Sequence, residues 1–498
     1  MSVGIDVGGT NTDIAIIEDN GIQIFKFPNE LSIDSILSKL TSKIDFKREK
    51  VIVSTSLPLN EVISKFHEIS TLVLLIPGPG MAYNEGVCLK GYVNHRGDLV
   101  EDIDESELKK IQFSKYQNVA IAGKFSVRNS ILEEKVKEII KNKLDESKIS
   151  LSYHCLYLNY PLRINTTILN AKIKNSVVNL KEILKNYVEN FFFYKGDGGV
   201  IPIDFAIQNP SLLYNSSPAA VAMGAIYLTN VKNGVVIDIG GTTTDFVLIE
   251  DGKPALVENM IIAGKKTLVK CVDSFSIPFG GDSIVDNFIK PKRADVPIAF
   301  GGKFFTLTDS LNCFGCEIGD YNKSKIACKS KEIAKKAIED YASVVAEALN
   351  HYERHVENIV VTGYLAKYLA PYLEEAIGKK CIIPEYCEAV NAIGVAVSKM
   401  SLSLYARFDT AKNRVVFNGI VEEYDGRDDD EELLNIAVNK VRELALKNGA
   451  SEDEVKDVNV VYYNSYNVVR GGVIKGKIAD IIVQIEPGIR PKFIREIS

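Results

Sequence analysis

The sequence predicts an α/β protein with two related halves and a small third unit. Val3 to Asp19 reads VGIDVGGTNTDIAIIED and Val235 to Asp251 reads VVIDIGGTTTDFVLIED, identical at eleven of seventeen positions and offset by 235 − 3 = 232 residues. Each copy is an apolar run, a Gly-Gly-Thr turn and an alternating apolar run, which predicts strand, tight turn and strand. The offset is too wide for a solenoid repeat of about 20–50 residues, so it indicates duplicated domains. The length of 498 residues also exceeds one ordinary domain.

Composition argues against several classes of protein. Hydrophobic residues make up 46% and charged residues 25%, the balance of a soluble globular chain. Lys plus Arg number 59 against 65 Asp plus Glu, without a long basic run, so we expect no nucleic-acid partner. No basic leader precedes the apolar run at Val3 and no apolar stretch is long enough for a bilayer, so we expect no membrane contact and a cytoplasmic location. The eight cysteines are expected to be free thiols.

The two repeated turns are predicted to bind phosphate. Glycine has no Cβ, so the backbone can take unusual angles and its N–H groups can approach an anion closely, while hydroxyl and amide groups add hydrogen bonds. A single Gly-Gly-Thr also fits a plain hairpin turn, but two copies favour phosphate binding. The predicted cofactor-binding residues are Gly8, Gly9, Thr10, Asn11 and Thr12 in the first turn and Gly240, Gly241, Thr242, Thr243 and Thr244 in the second.

Four aspartates recur with the turns, and we assign all four to the catalytic site. Asp6 and Asp238 end the first strand of each hairpin, where a carboxylate would repel phosphate unless a hydrated divalent cation lay between them. Magnesium keeps several waters and takes one or two carboxylates plus phosphates, so these two are the predicted metal ligands. Asp13 and Asp245 either orient water or cap the turn.

The paired hairpins resemble those of the actin, sugar-kinase and heat-shock ATPase superfamily, in which two ribonuclease H-like domains close over ATP. The small-residue segments 217–225 and 388–396 are similar to its two interdomain helices. Gly363 ends an apolar run that resembles the adenosine motif. Gly280 and Gly281 look like the glycine pair that follows the second hairpin and opens a helix, which would favour a phosphate or ribose oxygen.

Over roughly the first 400 residues the chain most resembles the hydantoinase A and 5-oxoprolinase family. The likeness rests on RINTTILNA at 163–171, NSSPAA at 215–220 and TLTDSL at 306–311. It implies an enzyme that uses ATP to phosphorylate the oxygen of a cyclic amide or carbonyl compound, so that hydrolysis or carboxylation can follow. It also implies a partner subunit of the hydantoinase B type, and we expect an oligomer.

The expected architecture is therefore α/β, with duplicated actin-like ATPase domains, an interdomain cleft for ATP and Mg²⁺, and a small C-terminal α/β domain. The first actin-like half is expected over 1–230, the second over 231–398 and the small domain over 399–498. Two other functions fit the same residues. One is a small-molecule kinase of the sugar or acetate type, and the other is a regulatory or activator ATPase without a small-molecule acceptor.

Three cysteines and two histidines are candidate metal ligands. Cys313 and Cys316 form a single CxxC with Cys328 nearby, but no second CxxC follows, so packing is favoured over zinc. His351 and His355 lie four residues apart without an HExxH motif, so exposure near a helix end is favoured over metal binding.

Several local elements complete the predictions. A helix is predicted from Lys331 to about Arg354, and residues 95–98 are predicted to form a hairpin turn, with a substrate contact as the alternative. The acidic run 425–432 is expected to precede a helix N-terminus rather than to bind calcium. The C-terminal elements are predicted as strands near 402–409, 414–421, 459–463 and 479–485 and a helix over 433–446.

Overall fold

A computed structural model describes the chain except for residues 10, 19–20, 29–30, 42–45, 47–48, 81–82, 295, 353–355 and 495–498 and the side chain of residue 57. The fold is mixed α/β. The elements of residues 1–230 are β1 (Ser2–Val7), β2 (Asn11–Glu18), β3 (Gly21–Pro28), α1 (Ile33–Leu40), β4 (Lys50–Thr55), α2 (Leu57–Ser64), β5 (Thr71–Ile76), β6 (Val87–Cys88), β7 (Tyr92–Val93), β8 (Leu99–Glu101), α3 (Glu105–Lys109), β9 (Asn118–Gly123), α4 (Ile131–Ile140), β10 (Ile149–Leu151), α5 (Tyr160–Lys185), β11 (Phe191–Tyr194), β12 (Val200–Pro202), α6 (Ile203–Gln208) and α7 (Ser216–Thr229).

The first repeat is the centre of a six-stranded sheet. Its strand order is β12-β11-β4-β1-β2-β3, in which β1, β2 and β3 form an antiparallel meander. Strands β4 and β11 continue from β1 in parallel. The carboxyl ends of β1, β4 and β11 therefore meet at one edge of the sheet, which is where open α/β sheets usually bind ligands.

A second sheet lies inside the range expected for the first half. Strands β10, β9, β5 and β6 pair in that order and carry their own apolar core, to which Leu74, Ile121 and Val136 belong. This additional sheet, between residues 71 and 151, was not predicted from the sequence, because its strands are short and carry no repeat.

The second repeat builds a sheet of matching order. The elements of residues 231–398 are β13 (Gly234–Ile239), β14 (Thr244–Glu250), β15 (Lys253–Pro254), β16 (Leu256–Val257), β17 (Ile261–Ile262), β18 (Lys265–Lys266), β19 (Cys271–Val272), β20 (Ser274–Ile277), β21 (Ser283–Val285), β22 (Ile289–Arg293), α8 (Leu307–Asn312), α9 (Tyr321–Ala327), α10 (Lys331–Ala348), β23 (Asn358–Thr362), α11 (Ala366–Ile377), β24 (Cys381–Ile382) and α12 (Val390–Val397). Strands β15, β14 and β13 are an antiparallel meander, and β23 and β24 follow β13 in parallel. Both repeats are therefore placed in the same position of equivalent sheets.

The C-terminal residues form a five-stranded antiparallel sheet with one helix. Its elements are β25 (Ser403–Asp409), β26 (Arg414–Phe417), β27 (Ile420–Glu423), α13 (Asp430–Lys447), β28 (Val458–Arg470) and β29 (Val473–Ile485), with strand order β27-β26-β25-β29-β28. The predicted small α/β unit is present, but β28 and β29 form a much longer hairpin than predicted. Asp429 caps α13 by accepting from two backbone N–H groups, which confirms the reading of the acidic run.

The two small-residue segments form helices that cross at close range. A Cβ added to Gly224 of α7 would lie 2.0 Å from the Val390 carbonyl oxygen, and one added to Gly394 of α12 would lie 1.9 Å from the Ala220 carbonyl oxygen. Only glycine fits at such distances, so the expected close packing of the two helices is confirmed.

Three expectations from the sequence are corrected. Cys313 and Cys328 form a disulfide, so the expectation of free thiols is wrong for this pair. The sequence alone does not show that these two side chains lie close together in the fold. Gly280 and Gly281 lead into β21 instead of opening a helix. Helix α10 ends at Ala348 and a 3₁₀ turn carries the chain to His351, while His355 lies outside the described residues.

Residues 95–98 form the predicted turn, and Arg96 is held by the C-terminal sheet. Its guanidinium binds the Asp409 carboxylate, with Nη2 and Oδ1 2.6 Å apart. The turn thus joins two units of the protein.

His351 is exposed and its ring lies 4.4 Å from that of Phe275.

Candidate functional site

The two repeated hairpins have the same register and the same turn. Asp6 pairs with Asp13 across β1 and β2, and Asp238 pairs with Asp245 across β13 and β14. In the first turn the Gly8 N–H group donates to the Asn11 carbonyl at 3.0 Å. In the second, Gly240 donates to the carbonyl of the equivalent residue at the same distance. Sequence identity therefore corresponds to identical local geometry.

None of the four turn glycines has a positive φ, and the room for a side chain differs among them. A Cβ on Gly9 would meet nothing within 4 Å, which leaves the surface of the first turn open. A Cβ on Gly241 would lie 2.5 Å from an Asp282 carboxylate oxygen, so the Asp282 side chain packs directly against the second turn. The expectation of unusual angles is wrong, and close approach of other groups takes its place.

The structure brings the other predicted glycines to the second turn. The Gly281 N–H group donates to the Gly240 carbonyl at 3.0 Å, and a Cβ on Gly280 would lie 2.6 Å from that same oxygen. Gly363 has φ of 96°, and a Cβ there would lie 2.2 Å from the Ile239 carbonyl. Three residues that are distant in sequence therefore surround one turn.

Asp6 is a buried carboxylate with one oxygen left over. Its Oδ2 accepts hydrogen bonds from Ser217 Oγ at 2.9 Å and from Asn391 Nδ2 at 2.8 Å. Its Oδ1 has no hydrogen-bond partner among the described residues, and the residue is 1% exposed. Burial raises the pKa of this carboxyl to about 6, despite hydrogen bonds that lower it.

Asp13 links the first hairpin to the first turn of α12. Its carboxylate lies 2.8 Å from Lys26 Nζ and accepts from Asn391 Nδ2 at 3.0 Å. The Lys26 ammonium also donates to the Glu388 carbonyl at 3.1 Å. Asn391 thus bridges both aspartates of the first hairpin.

Asp238 is partly buried beside β23. Thr362 Oγ1 donates to its Oδ1 at 2.7 Å. Burial, followed by the charge of Asp245, raises the pKa of Asp238 to about 7. The charge of Lys26 lowers the pKa of Asp238 and that of Asp13 raises it.

Asp245 is likewise held by hydroxyl groups. Ser276 Oγ donates to Oδ1 of Asp245, and Thr243 lowers the pKa of the same carboxyl by hydrogen bonding. Burial is the larger effect and raises that pKa. Asp245 therefore has a fixed orientation on its strand.

The predicted polar residues of the turns divide into inward and outward groups. Thr244 is fully buried, and its Oγ1 lies 2.8 Å from the Phe279 carbonyl and 2.7 Å from the Tyr341 hydroxyl. Thr12 is also buried. Thr242 is exposed, Thr243 and Asn11 are half-buried, and Thr10 lies outside the described residues.

Four residues that the sequence reasoning did not assign complete this site. Ser217 and Asn391 belong to the small-residue segments, and Thr362 precedes Gly363. A polar residue at the edge of an otherwise apolar motif was the available signal in each case. Lys26 lies on β3 opposite Asp13, and nothing in the sequence marks it.

Sequence comparison matches two segments of the chain to known families. Residues 72–144 match the hydantoinase/oxoprolinase N-terminal region, and residues 163–316 match hydantoinase/oxoprolinase. Both segments are those of the hydantoinase/oxoprolinase family. The second segment contains the second hairpin, whereas the first hairpin lies outside both matches.

Relatives extend this hydantoinase/oxoprolinase likeness. An uncharacterized protein of Methanocaldococcus jannaschii is 23% identical, over 92% of this chain and 79% of that protein. Caprolactamase subunit alpha of Pseudomonas jessenii is 21% identical over 63% of this chain, which spans just over half, 54%, of that subunit.

Two solved structures have the same fold as this hydantoinase/oxoprolinase-like chain. Nucleotide-free acetone carboxylase superposes with a TM-score of 0.68 at 17% identity, covering 98% of this chain and 87% of its own. ATP-dependent caprolactamase of Pseudomonas jessenii superposes with a TM-score of 0.65 at 16% identity and the same coverage. The likeness includes the C-terminal unit, which the sequence resemblance did not reach.

Two features are absent from the described part of the chain. No helix there is long and apolar enough to traverse a bilayer. No cluster of three or more His, Cys, Asp or Glu side chains suited to a metal ion occurs within the described ranges. A cation at the hairpins would therefore need water and phosphate oxygens to complete its shell.

Proposed function

We propose that this chain binds ATP between its two hairpins and phosphorylates the oxygen of a cyclic amide or carbonyl compound, activating it for hydrolysis. The single observation that carries the proposal is the pair of hairpins with identical register, which pairs Asp6 with Asp13 and Asp238 with Asp245 beside each glycine turn. Phosphoryl transfer asks a protein mainly for positioning and charge neutralisation, and two phosphate-binding turns and a cation supply both.

The proposed framework is a pair of actin-like halves with the nucleotide in the cleft between them. The matching orders β3-β2-β1-β4-β11 and β15-β14-β13-β23-β24 support it. The crossing of α7 and α12 supports a hinge between the halves. In this arrangement 1–230 and 231–398 are the halves and 399–498 is an added unit.

Magnesium is the proposed cation, held through water by Asp6 and Asp238. The buried Asp6 Oδ1 without a described hydrogen-bond partner fits a magnesium-bound water. The raised pKa values of both carboxyls fit as well, because a cation would favour their ionised forms. When bound, the ion would neutralise phosphate charge.

The phosphate contacts are assigned to backbone N–H groups and outward side chains. Gly8, Gly9, Gly240 and Gly241 would present N–H groups, with Asn11, Thr242 and Thr243 adding side-chain donors and Thr10 assigned from sequence alone. The buried Thr12 and Thr244 would brace their strands, and Gly280, Gly281 and Gly363 would shape the nucleotide side of the cleft.

The acceptor class follows from the relatives' names. Caprolactamase and acetone carboxylase are named for a cyclic amide and for a ketone, and each is described as ATP-dependent. Both substrates present a carbonyl oxygen as the group to be phosphorylated.

We place the reaction in the cytoplasm, where ATP is available. Reductants in the cytoplasm would act on the Cys313–Cys328 disulfide.

A partner subunit is proposed to bind the edge strand β28. The caprolactamase relative is named as a subunit. Strand β28 is at the edge of its sheet and exposes apolar and aromatic side chains on both faces, including Tyr462 at 43% and Tyr466 at 45%. Such an edge is a site for pairing with another chain.

The test is calorimetry with ATP and Mg²⁺ on Asp6→Asn and Asp238→Asn. Each change removes a charge and keeps the shape, so we expect at least tenfold weaker magnesium-dependent nucleotide binding and loss of turnover. Asp251→Asn is the matched control, because Asp251 is exposed and its φ of 52° is one that asparagine tolerates.

Wild-type affinity and turnover in both site variants would contradict the proposal. Product analysis then separates the alternatives. A ring-opened acid supports the hydrolase, a stable phosphorylated product indicates a kinase, and turnover stimulated only by a protein indicates a regulatory ATPase.

A further inference from the structure

A small, partly open cavity lies beside the first sheet, and no residue of either hairpin lines it. Its volume is about 130 Å³, or room for roughly four waters at ~30 Å³ each. Lys195 follows β11 directly, and β11, β4 and β1 are successive parallel strands. The cavity therefore lies at the same carboxyl edge of the sheet as Asp6, two strands away.

A buried charged pair lines this cavity. Lys195 Nζ lies 2.8 Å from Asp197 Oδ2 and 3.1 Å from Ser401 Oγ, and the three residues are 4%, 8% and 0% exposed. The Gly199 N–H group donates to Asp197 Oδ1 at 2.9 Å, and Gly198 takes φ of 88° to close the loop. The loop thus fixes both charges against the cavity wall.

The cavity wall offers polar groups among apolar ones. An ammonium group has three N–H bonds, and Asp197 and Ser401 account for two of those on Lys195. The amides of Asn209 and Gln484 also line the space, and Ile201, Phe205 and Leu268 form apolar walls. Apolar walls with a few placed polar groups are typical of small-molecule sites.

The cavity is built by three parts of the chain, with Leu268 and its neighbours coming from residues 231–398. Lys195 and Asp197 come from the first half, whereas Ser401, Asn418 and Gln484 come from the C-terminal unit. Gln484 Nε2 donates to Ser401 Oγ at 3.3 Å, which continues the polar chain from Lys195. Closure of the site therefore depends on the C-terminal unit.

We propose that this cavity is the acceptor site, and that it binds a small, uncharged cyclic amide. Lys195 donates to the carbonyl oxygen, and Asp197 or a wall amide accepts from the ring N–H group. Burial lowers the pKa of the wall residue His154 to about 3, so its ring is neutral at pH 7. Lys270 also lines the cavity, and its ammonium is paired with the Glu258 carboxylate at 3.0 Å. The assignment rests on the proposed function for its place in a reaction, but the binding itself requires no nucleotide.

The test is binding of 2-piperidone, measured by ligand-observed saturation-transfer NMR without nucleotide. Leu268→Phe places extra atoms in the cavity, so we expect at least tenfold weaker binding. Leu256→Phe is the control, because Leu256 is 37% exposed and lies outside the cavity lining. Lys195→Met should also weaken binding at least tenfold if the ammonium holds the carbonyl.

The outcomes separate this inference from the proposed function. Absence of saturation transfer to the wild type, or equal binding by wild type and Leu268→Phe, overturns the cavity assignment. A urea midpoint for Leu268→Phe equal to that of Leu256→Phe shows that both fold. Nucleotide calorimetry on the wild type without lactam tests the ATP site by itself, so either proposal can fail alone.

Discussion

At the scale of single residues, Asp6 and Asp238 carry an electrostatic cost in the folded protein. Each carboxylate is removed from water without a full set of partners, so its protonated form is favoured. This cost should appear in the pH dependence of the free energy of unfolding.

Stability of the unliganded protein should fall as pH rises through the pKa values of these two groups. The folded-state pKa values, about 6 and about 7, exceed the usual 3.8, so the native state binds more protons between these limits. The contribution is present below about pH 4 and lost as pH rises through 6 and 7. At about 1.4 kcal/mol per pKa unit, the Asp6 effect is on the order of 3 kcal/mol.

Urea unfolding between pH 5 and 8 without nucleotide measures this effect. Asp6→Asn should reduce the pH dependence to the part that Asp238 contributes, and Asp251→Asn should leave it as in the wild type. A wild-type slope that persists in Asp6→Asn would contradict the assigned pKa shift.

Residue-level expectations succeeded where neighbours in sequence define the geometry. The Asp6–Asp13 and Asp238–Asp245 pairs follow from strand, turn and strand within seventeen residues. The contacts of the Thr244 hydroxyl could not be predicted, because one of its partners, the Tyr341 hydroxyl, lies on a helix almost a hundred residues later in the chain.

At the scale of elements, α7 and α12 can cross closely because glycine stands at the crossing in both helices. Residues with small side chains allow the two backbones to approach, and the sequence indicates this directly through its runs of Ala and Gly. What those runs cannot indicate is the polar residue at each end. Ser217 and Asn391 meet at Asp6 only because the helices cross there.

Gly394→Ala should destabilise the protein by about 3 kcal/mol or more. The added methyl would meet the Ala220 carbonyl and the Gly224 backbone nitrogen, and neither can move without shifting a helix. Gly488→Ala is the control, since its Cβ would meet only the flexible Lys399 side chain at 3.4 Å. Urea unfolding measures both, and equal midpoints would show that the crossing tolerates a methyl group.

Strand β28 should bind the partner subunit without contributing much to the fold. Tyr462→Asp with Tyr466→Asp adds charge to its exposed surface, so we expect partner binding at least tenfold weaker in a pull-down titration and an unchanged urea midpoint. Tyr364→Asp is the control, because Tyr364 is 45% exposed on another unit. Unchanged partner affinity in the double variant would place the contact elsewhere, and self-association lost in it would indicate a second copy of this chain.

At the scale of the whole molecule, buried ion pairs attach the C-terminal unit to the rest. Arg128, from residues 71–151, binds Asp480, which also receives Arg407 and the Tyr405 hydroxyl. Arg407 is 1% exposed and Asp480 3%. The sequence predicted the unit itself, but pairs of charges separated by hundreds of residues have no local pattern.

Arg407→Met should cost about 3 kcal/mol or more, because it leaves the Asp480 carboxylate buried with fewer partners. The double variant Arg407→Met, Asp480→Asn removes that stranded charge and should lose less stability. Urea unfolding measures both, and Lys456→Met at an exposed ion pair is the control, expected within about 0.5 kcal/mol of wild type. A double variant less stable than the single one would contradict this account.

The strand that holds Asp6 is secured by residues synthesised long after it. Ser2 donates to the Ala396 carbonyl, 394 positions away, and Arg490 binds the same Ser2 hydroxyl. Gly4 lies under Ala392 and Ala396. During synthesis, β1 therefore cannot form these contacts until almost all of the polypeptide has emerged from the ribosome. Contacts of such wide separation slow folding and leave apolar strands uncovered meanwhile, so this protein is a natural client for chaperones.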